Sequence, residues 1–358
     1  MTTRLLRVDP RDIDATAIAE AASVLRRGGL VAFPTETVYG LGANALDGSA
    51  VEGIFRAKGR PTTDPLIVHI GHAARMTDVA VDVPSVVERL AARFWPGPLT
   101  IILRKRPEVP EIVTAGLPTV AVRVPAHPVA RALLEAAGVP AAAPSANRFS
   151  RPSPTTAEHV VADLEGAIDL VLDAGPTEIG IESTILDLTV TPPLVRRPGG
   201  AAVSALRAVL PEIVVVQEMR SEREVQPSPG QLARHYAPRA PLTLYIGPVN
   251  RIADRVGDRA RSAAAAGSRV GILAPAEDLV ALAPRIAAAA SAGRIVTARY
   301  GSRVDAGEAA RELFGAMREL DAAGLDQILA IAASAEGIGL AIIDRLTRAA
   351  EGKVVRVE

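Results

Sequence analysis

From Leu242 to the end of the chain, short apolar runs alternate with longer amphipathic segments, a pattern that leaves few folds open. Strands are predicted at LTLYI, RVGILA, RIVTARY and LDQILAIAA, and each precedes a predicted helix, at about 250–264, 276–291, 306–322 and 338–350. Successive strands joined through a helix pair in parallel, because the helix carries the chain back along the sheet. We therefore predict a Rossmann-like, parallel, doubly wound α/β domain over 242–358.

Residues 1–210 are predicted to form a different α/β fold. Some of their strands follow one another with no helix between them, such as Leu99–Leu103 and then Val120–Val124. Others are separated by helices, among them Asp14–Arg27 and Pro128–Ala137. Because both kinds of connection occur, a twisted mixed sheet with helices packed on it is expected here.

Residues 211–241 differ in composition from both regions. They include the segment EMRSEREVQPSPGQLARHYAPRAP, which is charged, rich in proline and without apolar periodicity, as is typical of a linker. The segment also carries His235 and Tyr236, two side chains suited to binding a ligand. We expect this linker to close over a cleft of the first domain.

Composition excludes several classes of function. The chain of 358 residues has no cysteine, which rules out thiolate zinc sites, disulfide scaffolds and a cysteine nucleophile. Its 40 basic and 40 acidic residues balance, which argues against a general nucleic-acid coat protein, whose affinity rests on phosphate neutralisation. No signal segment or long uncharged apolar run is visible, so a cytoplasmic protein without membrane contact is expected.

The stretch from Phe33 to His72 concentrates residue types that bind small anionic ligands. Gly40 and Gly42 are expected to adopt unusual backbone angles. Ser49, with Glu52 three residues later, is typical of a capping box and predicts that a helix begins there.

The predicted helix ends in three cations at alternate positions, Arg56, Lys58 and Arg60. Cations at a helix C-terminus are common on solvated surfaces, because they interact favourably with the helix dipole. Arginine and lysine are also the natural partners of polyphosphates. The adjoining Gly59 and Pro61 favour phosphate binding over the solvated alternative.

Two further patterns carry less weight. His69–His72 spells HIGH, a signature of class I aminoacyl-tRNA synthetases, but no KMSKS-like loop accompanies it, so the match is interpreted as coincidence. No P-loop sequence occurs, and Gly337–Gly339 is only a partial dinucleotide fingerprint. For the second domain, ligand binding stays open beside a role in anchoring a lid or in regulation.

Short polar motifs recur after the strands of the first region, namely PSAN at 144–147, ESTI at 182–185 and RRPG at 196–199. Each motif alone is an ordinary turn. No Ser-His-Asp or paired-carboxylate arrangement accompanies them, so a site that binds and orients is predicted rather than one with a covalent nucleophile. Arg93 with Arg104–Arg106 forms either a solvated edge or an RNA-facing patch.

The motifs PTETVYGLG, KGRP followed by DPLIVHI, PSAN, ESTI, RRPG, SPGQLARHYAP and GIGLAIIDRL occur in this order. The ordered set resembles the L-threonylcarbamoyl-adenylate synthases of the YrdC-like superfamily, in their two-domain branch, over both domains and the linker. The resemblance implies a YrdC-like catalytic domain over 1–210. It also implies that L-threonine, bicarbonate and ATP are converted to L-threonylcarbamoyl-adenylate and pyrophosphate. Partner transferase proteins then use the product to form threonylcarbamoyl-adenosine in tRNA.

The resemblance assigns roles residue by residue. Family positions that hold L-threonine match Thr37, His69, Arg123, Ala143 and Ser183. Family positions that contact ATP match Arg60, Asp64, Thr119, Ser145, Ser153 and Arg197. Asn147 joins the predicted ATP-binding residues as part of the PSAN loop, and His235 or Tyr236 matches a position that closes over the nucleotide, so both are included. Lys58 and Arg60 are the residues expected to support catalysis. Asp64 stands where asparagine is usual, and Ala143 where a small hydroxyl residue is often found.

The implied chemistry fits these residue types. The amine of threonine attacks the bicarbonate-derived carbon, and an oxygen of the resulting carbamate attacks the α-phosphorus of ATP. Catalysis then consists of positioning and charge neutralisation, with Mg²⁺ accompanying ATP and no tightly bound cofactor. Arg123 is expected to pair bidentately with the threonine carboxylate.

Two alternative functions are also compatible with the sequence. One is an RNA-binding YrdC-like module without turnover, which would contact tRNA through Arg93 and Arg104–Arg106. The other is a carbamoyl-phosphate-dependent enzyme of the kind that acts in hydrogenase maturation, although those relatives carry zinc-finger regions that a cysteine-free chain lacks.

Overall fold

A computed structural model describes residues 2–216, 221 and 224–358. The chain divides into two compact units, the first running to Phe149 and resuming over Ser153–Leu232, the second comprising Ser150–Pro152 and Ala233–Glu358. The linker predicted over 211–241 is therefore shared between the units. Its residues 217–220 and 222–223 lie outside the described part of the chain.

The first unit is built on a mixed sheet, to which the described residues contribute 12 strands. The strands are β1 (Arg4–Arg7), β2 (Val31–Phe33), β3 (Gly40–Asn44), β4 (Ile67–His69), β5 (Ala80–Val81), β6 (Leu99–Lys105), β7 (Thr119–Arg123), β8 (Ala141–Ala142), β9 (Leu170–Asp173), β10 (Thr184–Asp187), β11 (Leu194–Arg197) and β12 (Val214–Val215). Their order in the sheet is β1-β9-β2-β3-β8-β4-β7-β6-β10-β11-β12, and β5 pairs with β6.

The helices of this unit lie between these strands. They are α1 (Ala15–Arg26), α2 (Gly48–Lys58), a 3₁₀ helix (Ala73–Asp78), α3 (Val86–Phe94), α4 (Glu111–Thr114), α5 (Pro128–Ala137), α6 (Ala157–Leu164) and α7 (Val203–Arg207). Strands β2 and β3 pair antiparallel, as do β6 and β7, whereas β4 pairs with β7 and β6 with β10 in parallel. The prediction of a mixed sheet is confirmed.

Helices α1 and α5 pack together and bury an apolar core against the sheet. Leu25 and Leu133 from the two helices and Phe33 from β2 are fully buried in it. Each such side chain contributes roughly 1.5–3 kcal/mol through removal of apolar surface from water. This core supports the strand ends at which the predicted site residues begin.

The expectation of unusual backbone angles at Gly40 and Gly42 is wrong. Both glycines lie in β3, whose residues pair with β2 in extended conformation. The reason for glycine at position 42 is close packing, because an added Cβ would come 2.8 Å from Cε1 of Phe33.

The start of α2 also differs from the prediction. Asp47, not Ser49, is the N-cap, and its carboxylate accepts hydrogen bonds from the backbone N–H groups of Ser49 and Ala50. At the other end Gly59 adopts a left-handed conformation with φ of 66° and closes the helix. Arg60 therefore follows the helix instead of belonging to it.

The second unit contains a parallel sheet of five strands among the described residues, in the order β15-β14-β16-β13-β17. Its elements are β13 (Leu242–Ile246), α8 (Val249–Ala265), β14 (Val270–Ala274), α9 (Ala276–Ser291), β15 (Ile295–Arg299), α10 (Ala306–Ala322), β16 (Gln327–Ile331), α11 (Gly339–Ala349) and β17 (Val354–Arg356). The chain moves one way along the sheet from β13 to β15 and then reverses. Because such crossovers are right-handed, α8 and α9 cover one face and α10 and α11 the other, which confirms the doubly wound prediction.

Within the described ranges, no helix is both long enough and apolar enough to cross a membrane.

Candidate active site

The site of the first unit begins where two central parallel strands end. His69 at the end of β4 and Arg123 at the end of β7 are direct neighbours in the sheet register. Thr37 lies in the turn after β2 and is fully buried, and its hydroxyl is 2.8 Å from that of Thr35. The structure therefore brings the first three predicted threonine-binding residues into one unit, at strand ends.

Arg123 is paired with a carboxylate that the sequence analysis did not single out. Its Nη2 donates to Oε1 of Glu36 at 2.6 Å, and its Nε donates to the carbonyl of Gly97 at 3.3 Å. The other oxygen of Glu36 accepts the backbone N–H of Ala126 at 3.0 Å. Both side chains are buried, so Glu36 fixes the orientation of the guanidinium. No described residue takes a hydrogen bond from Nη1 of Arg123.

His69 is kept neutral by its surroundings. Burial, together with the positive charge of nearby Arg123, lowers the pKa of His69 to about 3. The ring of Phe33 meets the imidazole edge-on, with 6.2 Å between the ring centroids. A neutral imidazole can donate and accept one hydrogen bond each, which suits recognition of a polar ligand.

Lys58 holds the PSAN loop. Its Nζ donates to the carbonyl of Ser145 at 2.5 Å and to that of Asn147 at 2.6 Å. The backbone of Ala146 adds a hydrogen bond to the carbonyl of Tyr39 at 2.8 Å. The predicted catalytic lysine is thus 4% exposed and bound to the backbone of the loop that contains two predicted ATP ligands.

Arg60 is fixed by the loop that follows it. Its Nε donates to the carbonyl of Asp64 at 3.1 Å and its Nη2 to that of Pro65 at 2.8 Å. Nη2 also lies 3.0 Å from Oδ2 of Asp64. Burial raises the pKa of the Asp64 carboxyl, and the charges of Arg60, Arg197 and Lys58 oppose that rise. Three predicted phosphate-binding cations therefore surround one buried carboxyl group.

Arg197 and Ser183 are joined across β11 and the start of β10. The guanidinium of Arg197 donates from Nη2 to the carbonyl of Ser183 at 3.0 Å and to its hydroxyl at 3.3 Å. That hydroxyl is also 2.8 Å from the hydroxyl of Thr100. Gly199 is required in the RRPG turn, because an added Cβ would lie 2.3 Å from the carbonyl oxygen of Glu182.

Glu182 is a second buried carboxylate that was not predicted to belong to the site. The hydroxyl of Ser153, a predicted ATP ligand, donates to Oε1 of Glu182. Glu36 and Glu182 both lie within quoted motifs, PTET and ESTI, but their partners are 87 and 29 positions away along the chain. Only the folded chain shows these pairs.

Ala143 offers its backbone rather than a side-chain contact. Its N–H donates to the carbonyl of Ile67 at 2.9 Å, and its methyl group packs into the core beneath the strand ends. The small hydroxyl side chain often found at position 143 is absent, and no other role for Ala143 is visible.

Thr119, a predicted ATP ligand, begins β7 and lines a small cavity with Leu66 and Ser228.

Part of the predicted linker lies on the first unit. The N–H of Gln226 donates to the carbonyl of Thr63 at 2.9 Å, and Nε2 of Gln231 donates to the carbonyl of Arg196 at 3.2 Å. These contacts place residues 226–231 beside the loop of Arg60 and beside β11.

His235 and Tyr236 belong to the second unit, and their predicted contact with ATP stays a prediction. Tyr236 has a positive φ of 61° and is buried, with its ring 5.5 Å from that of Phe314. The guanidinium of Arg345 lies 5.1 Å from the centroid of the tyrosine ring. These contacts fix the tyrosine on the second unit.

The remaining basic and histidine motifs lie apart from this site. His72 is exposed and lines a surface cleft with Arg75 and Glu135. Arg106 forms an ion pair with Glu108 at 3.1 Å, which neutralises part of the basic triplet and favours the solvated-edge interpretation. In the described part of the chain, no group of three or more His, Cys, Asp or Glu residues is arranged to hold a metal ion.

Comparison with known families also divides the chain into two parts, but the boundary between the family models, near residue 200, precedes the structural boundary after Leu232. Residues 23–199 match a family model described as "Telomere recombination", Sua5_yciO_yrdC. Residues 202–351 match a model described as "Threonylcarbamoyl-AMP synthase, C-terminal domain".

Individual relatives match both units together. A threonylcarbamoyl-AMP synthase of Pyrococcus abyssi is 41% identical over 96% of this chain and 97% of its own length. One of Bacillus subtilis is 42% identical over 99% of this chain and 100% of its own length. The crystal structure of P. abyssi Sua5 complexed with L-threonine superposes with a TM-score of 0.91, at 40% identity, over 99% of this chain and 100% of the other.

A mixed-sheet unit with buried cations and hydroxyls at its strand ends, followed by a parallel α/β unit, defines a two-domain enzyme of the YrdC-like class. Within that class, the full-length matches show that the chain belongs to the threonylcarbamoyl-AMP synthase family. This result confirms the family resemblance and favours an enzyme over an RNA-binding module without turnover.

Proposed function

We propose that this protein forms L-threonylcarbamoyl-adenylate and pyrophosphate from L-threonine, bicarbonate and ATP. The observation that carries the proposal is the composition of one buried site. Lys58, Arg60 and Arg197 form a cation cluster, and His69 and Arg123 lie at neighbouring strand ends of the same unit. The names of the full-length relatives and the threonine complex of P. abyssi Sua5 agree with it.

The amino-acid subsite is assigned to Thr37, His69, Arg123 and Ser183, with the backbone of Ala143. Glu36 holds one edge of the Arg123 guanidinium, so the carboxylate of threonine would bind from the side of Nη1. The neutral imidazole of His69 suits the hydroxyl or amine of threonine.

The nucleotide subsite is assigned to the cation cluster and the motifs around it. Its members are Arg60, Asp64, Thr119, Ser145, Asn147, Ser153 and Arg197. Contact of His235 and Tyr236 with ATP stays a prediction from the family resemblance. Mg²⁺ would arrive with ATP as part of the substrate, because Mg²⁺ is usually held by phosphates and one or two carboxylates. The linker is proposed to close over this subsite, and the contacts of Gln226 and Gln231 support that placement.

The reaction needs no protein nucleophile. The amine nitrogen of threonine bonds to the bicarbonate carbon and water leaves, giving a carbamate. A carbamate oxygen then bonds to the α-phosphorus while the bond to pyrophosphate breaks. Lys58 acts by fixing the PSAN loop, and Arg60 and Arg197 neutralise phosphate charge, so catalysis rests on positioning and electrostatics.

The product is a mixed anhydride, which must be consumed by a transferase that moves the threonylcarbamoyl group to a nucleophile. Threonylcarbamoyl transferases that act on tRNA are the proposed partners, in the cytoplasm. Any direct contact of this chain with tRNA would be weak, given its balanced charge.

The test is pyrophosphate release by the full chain with ATP, measured with threonine and bicarbonate each omitted in turn. We expect release only when both are present, because the α-phosphorus is attacked by the carbamate that they form. Release that continues without threonine would contradict the proposal.

A further inference from the structure

Asp64 is a buried carboxyl group in a place where an anionic ligand is proposed to bind. Its side chain is 0% exposed. Oδ2 lies 3.0 Å from Nη2 of Arg60, an ion-pair distance, and the backbone N–H of Gly230 faces the carboxyl group, but neither carboxyl oxygen has a well-aligned hydrogen bond within the described residues. A carboxylate with this little support is held mainly by the charges around it.

Arg60 and Arg197 have hydrogen-bond acceptors other than the Asp64 carboxylate. Arg60 donates to two backbone carbonyls, those of Asp64 and Pro65. Arg197 donates to the carbonyl of Ser183 through both Nε and Nη2, at 3.2 and 3.0 Å. Both guanidinium groups therefore keep neutral acceptors when the charge of Asp64 is removed.

We propose that Asp64 is a counter-charge that competes with phosphate groups for Arg60 and its neighbours, and so weakens the binding of both ATP and pyrophosphate. The inference rests on the proposed function, since it needs a polyphosphate in this subsite. A negative charge among the cations repels an anionic ligand, and the repulsion grows as the distance between the two charges shrinks. The low dielectric of a buried site strengthens that repulsion. The same repulsion favours departure of pyrophosphate after the reaction.

Asp64→Asn tests this inference because asparagine has nearly the same shape without the charge. Arg60 keeps its two carbonyl acceptors in the variant, so the change acts on charge rather than on geometry. We expect the dissociation constants of ATP and of pyrophosphate both to fall on the order of tenfold. Isothermal titration of the full chain with each ligand, at fixed Mg²⁺ and pH, measures both constants.

Asp278→Asn is the matched control. Asp278 is also 0% exposed, burial also raises the pKa of its carboxyl, and it also pairs with an arginine, Oδ1 lying 2.8 Å from Nη2 of Arg303. It belongs to the second unit and to none of the proposed subsites. Tighter binding in Asp64→Asn with unchanged binding in Asp278→Asn supports the inference.

Other outcomes overturn one proposal or the other. Equal or weaker binding of both ligands by Asp64→Asn overturns the role of Asp64 and leaves the proposed reaction intact. If the unsubstituted protein binds neither ATP nor pyrophosphate, the proposed function itself fails. Asp64→Ser serves as a second neutral variant if circular dichroism shows that Asp64→Asn is unfolded. Unfolding of both variants shows that Asp64 is structural and also overturns the inference.

Discussion

His69 illustrates how a single buried residue connects the site to stability. Its pKa falls from 6.5 to about 3 on folding, because burial and Arg123 disfavour the charged ring. Between these values the unfolded chain binds the extra proton. The free energy of unfolding therefore decreases as the pH falls through this window, by up to about 1.4 kcal/mol per pH unit.

His69→Gln should remove this part of the acid sensitivity, since glutamine takes up no proton. Urea unfolding at several pH values between about 3 and 6.5 gives the slope for each protein. His72→Gln is the control, because His72 is exposed and its substitution should leave the slope unchanged. Equal slopes for His69→Gln and the unsubstituted protein would contradict the account.

For single residues, the family resemblance proposed ligand-binding side chains but not the side chains that hold them. Arg123 and Ser153 were assigned through the resemblance, but their pairing with Glu36 and Glu182 was not predicted. A carboxylate in a short motif gives no sign of a partner many positions away, because pairing is decided by how the strands align in the sheet. The expected bidentate pairing of Arg123 with threonine stays a prediction, now limited to the side of Nη1.

The element that most directly shapes the proposed nucleotide subsite is the loop after β8, and its geometry depends on the end of α2. Lys58→Met removes two hydrogen bonds to the loop carbonyls of Ser145 and Asn147 while keeping the apolar stem. We expect faster amide hydrogen exchange in this loop without any ligand present. Arg56→Met, in the same last turn of α2 but exposed, should have no such effect. Unchanged amide exchange in Lys58→Met would show that Lys58 does not hold this loop in place. Contact with phosphate would then be its only proposed role.

Among elements, amphipathic helices were predicted well and glycine-containing strands were not. α9 and α10 have the predicted bounds, since their apolar faces repeat with helical spacing. β3 was missed because Gly40 and Gly42 give no alternating apolar signal. The small size of Gly42 leaves room for the ring of Phe33, a packing requirement that appears only when β2 and β3 are paired.

For the whole molecule, the sequence predicted two α/β units of different kinds because their connections differ. Helices between successive strands imply the parallel sheet of the second unit, and strands joined directly imply the mixed sheet of the first. Composition marked 211–241 as a linker but did not show that its residues up to Leu232 group with the first unit. That assignment depends on individual hydrogen bonds, such as the one from Gln226 to Thr63.

The second unit contains a buried cluster of charged side chains, and its loss should lower the stability of the whole unit. Arg345 is 0% exposed, its Nη1 lies 2.5 Å from Oδ2 of Asp344, and its guanidinium is near the ring of Tyr236. Arg345→Met removes one cation from the buried Asp344, which keeps Arg348, whose Nε lies 3.1 Å from Oδ1, as a partner. The loss of one charged hydrogen bond is then expected to cost about 1.5–3 kcal/mol. Arg356→Met, at an exposed position, should change stability by about 0.5 kcal/mol at most.

Urea unfolding followed by circular dichroism measures the cost of Arg345→Met. The chain has a single tryptophan, Trp95 in the first unit, so its fluorescence reports that unit separately. A shift of the circular dichroism transition alone means that the second unit unfolds by itself, and coincident shifts mean that both units unfold together. A midpoint equal to that of Arg356→Met would show that the cluster adds nothing to stability, and that the burial of Tyr236 rests on apolar contacts such as Phe314.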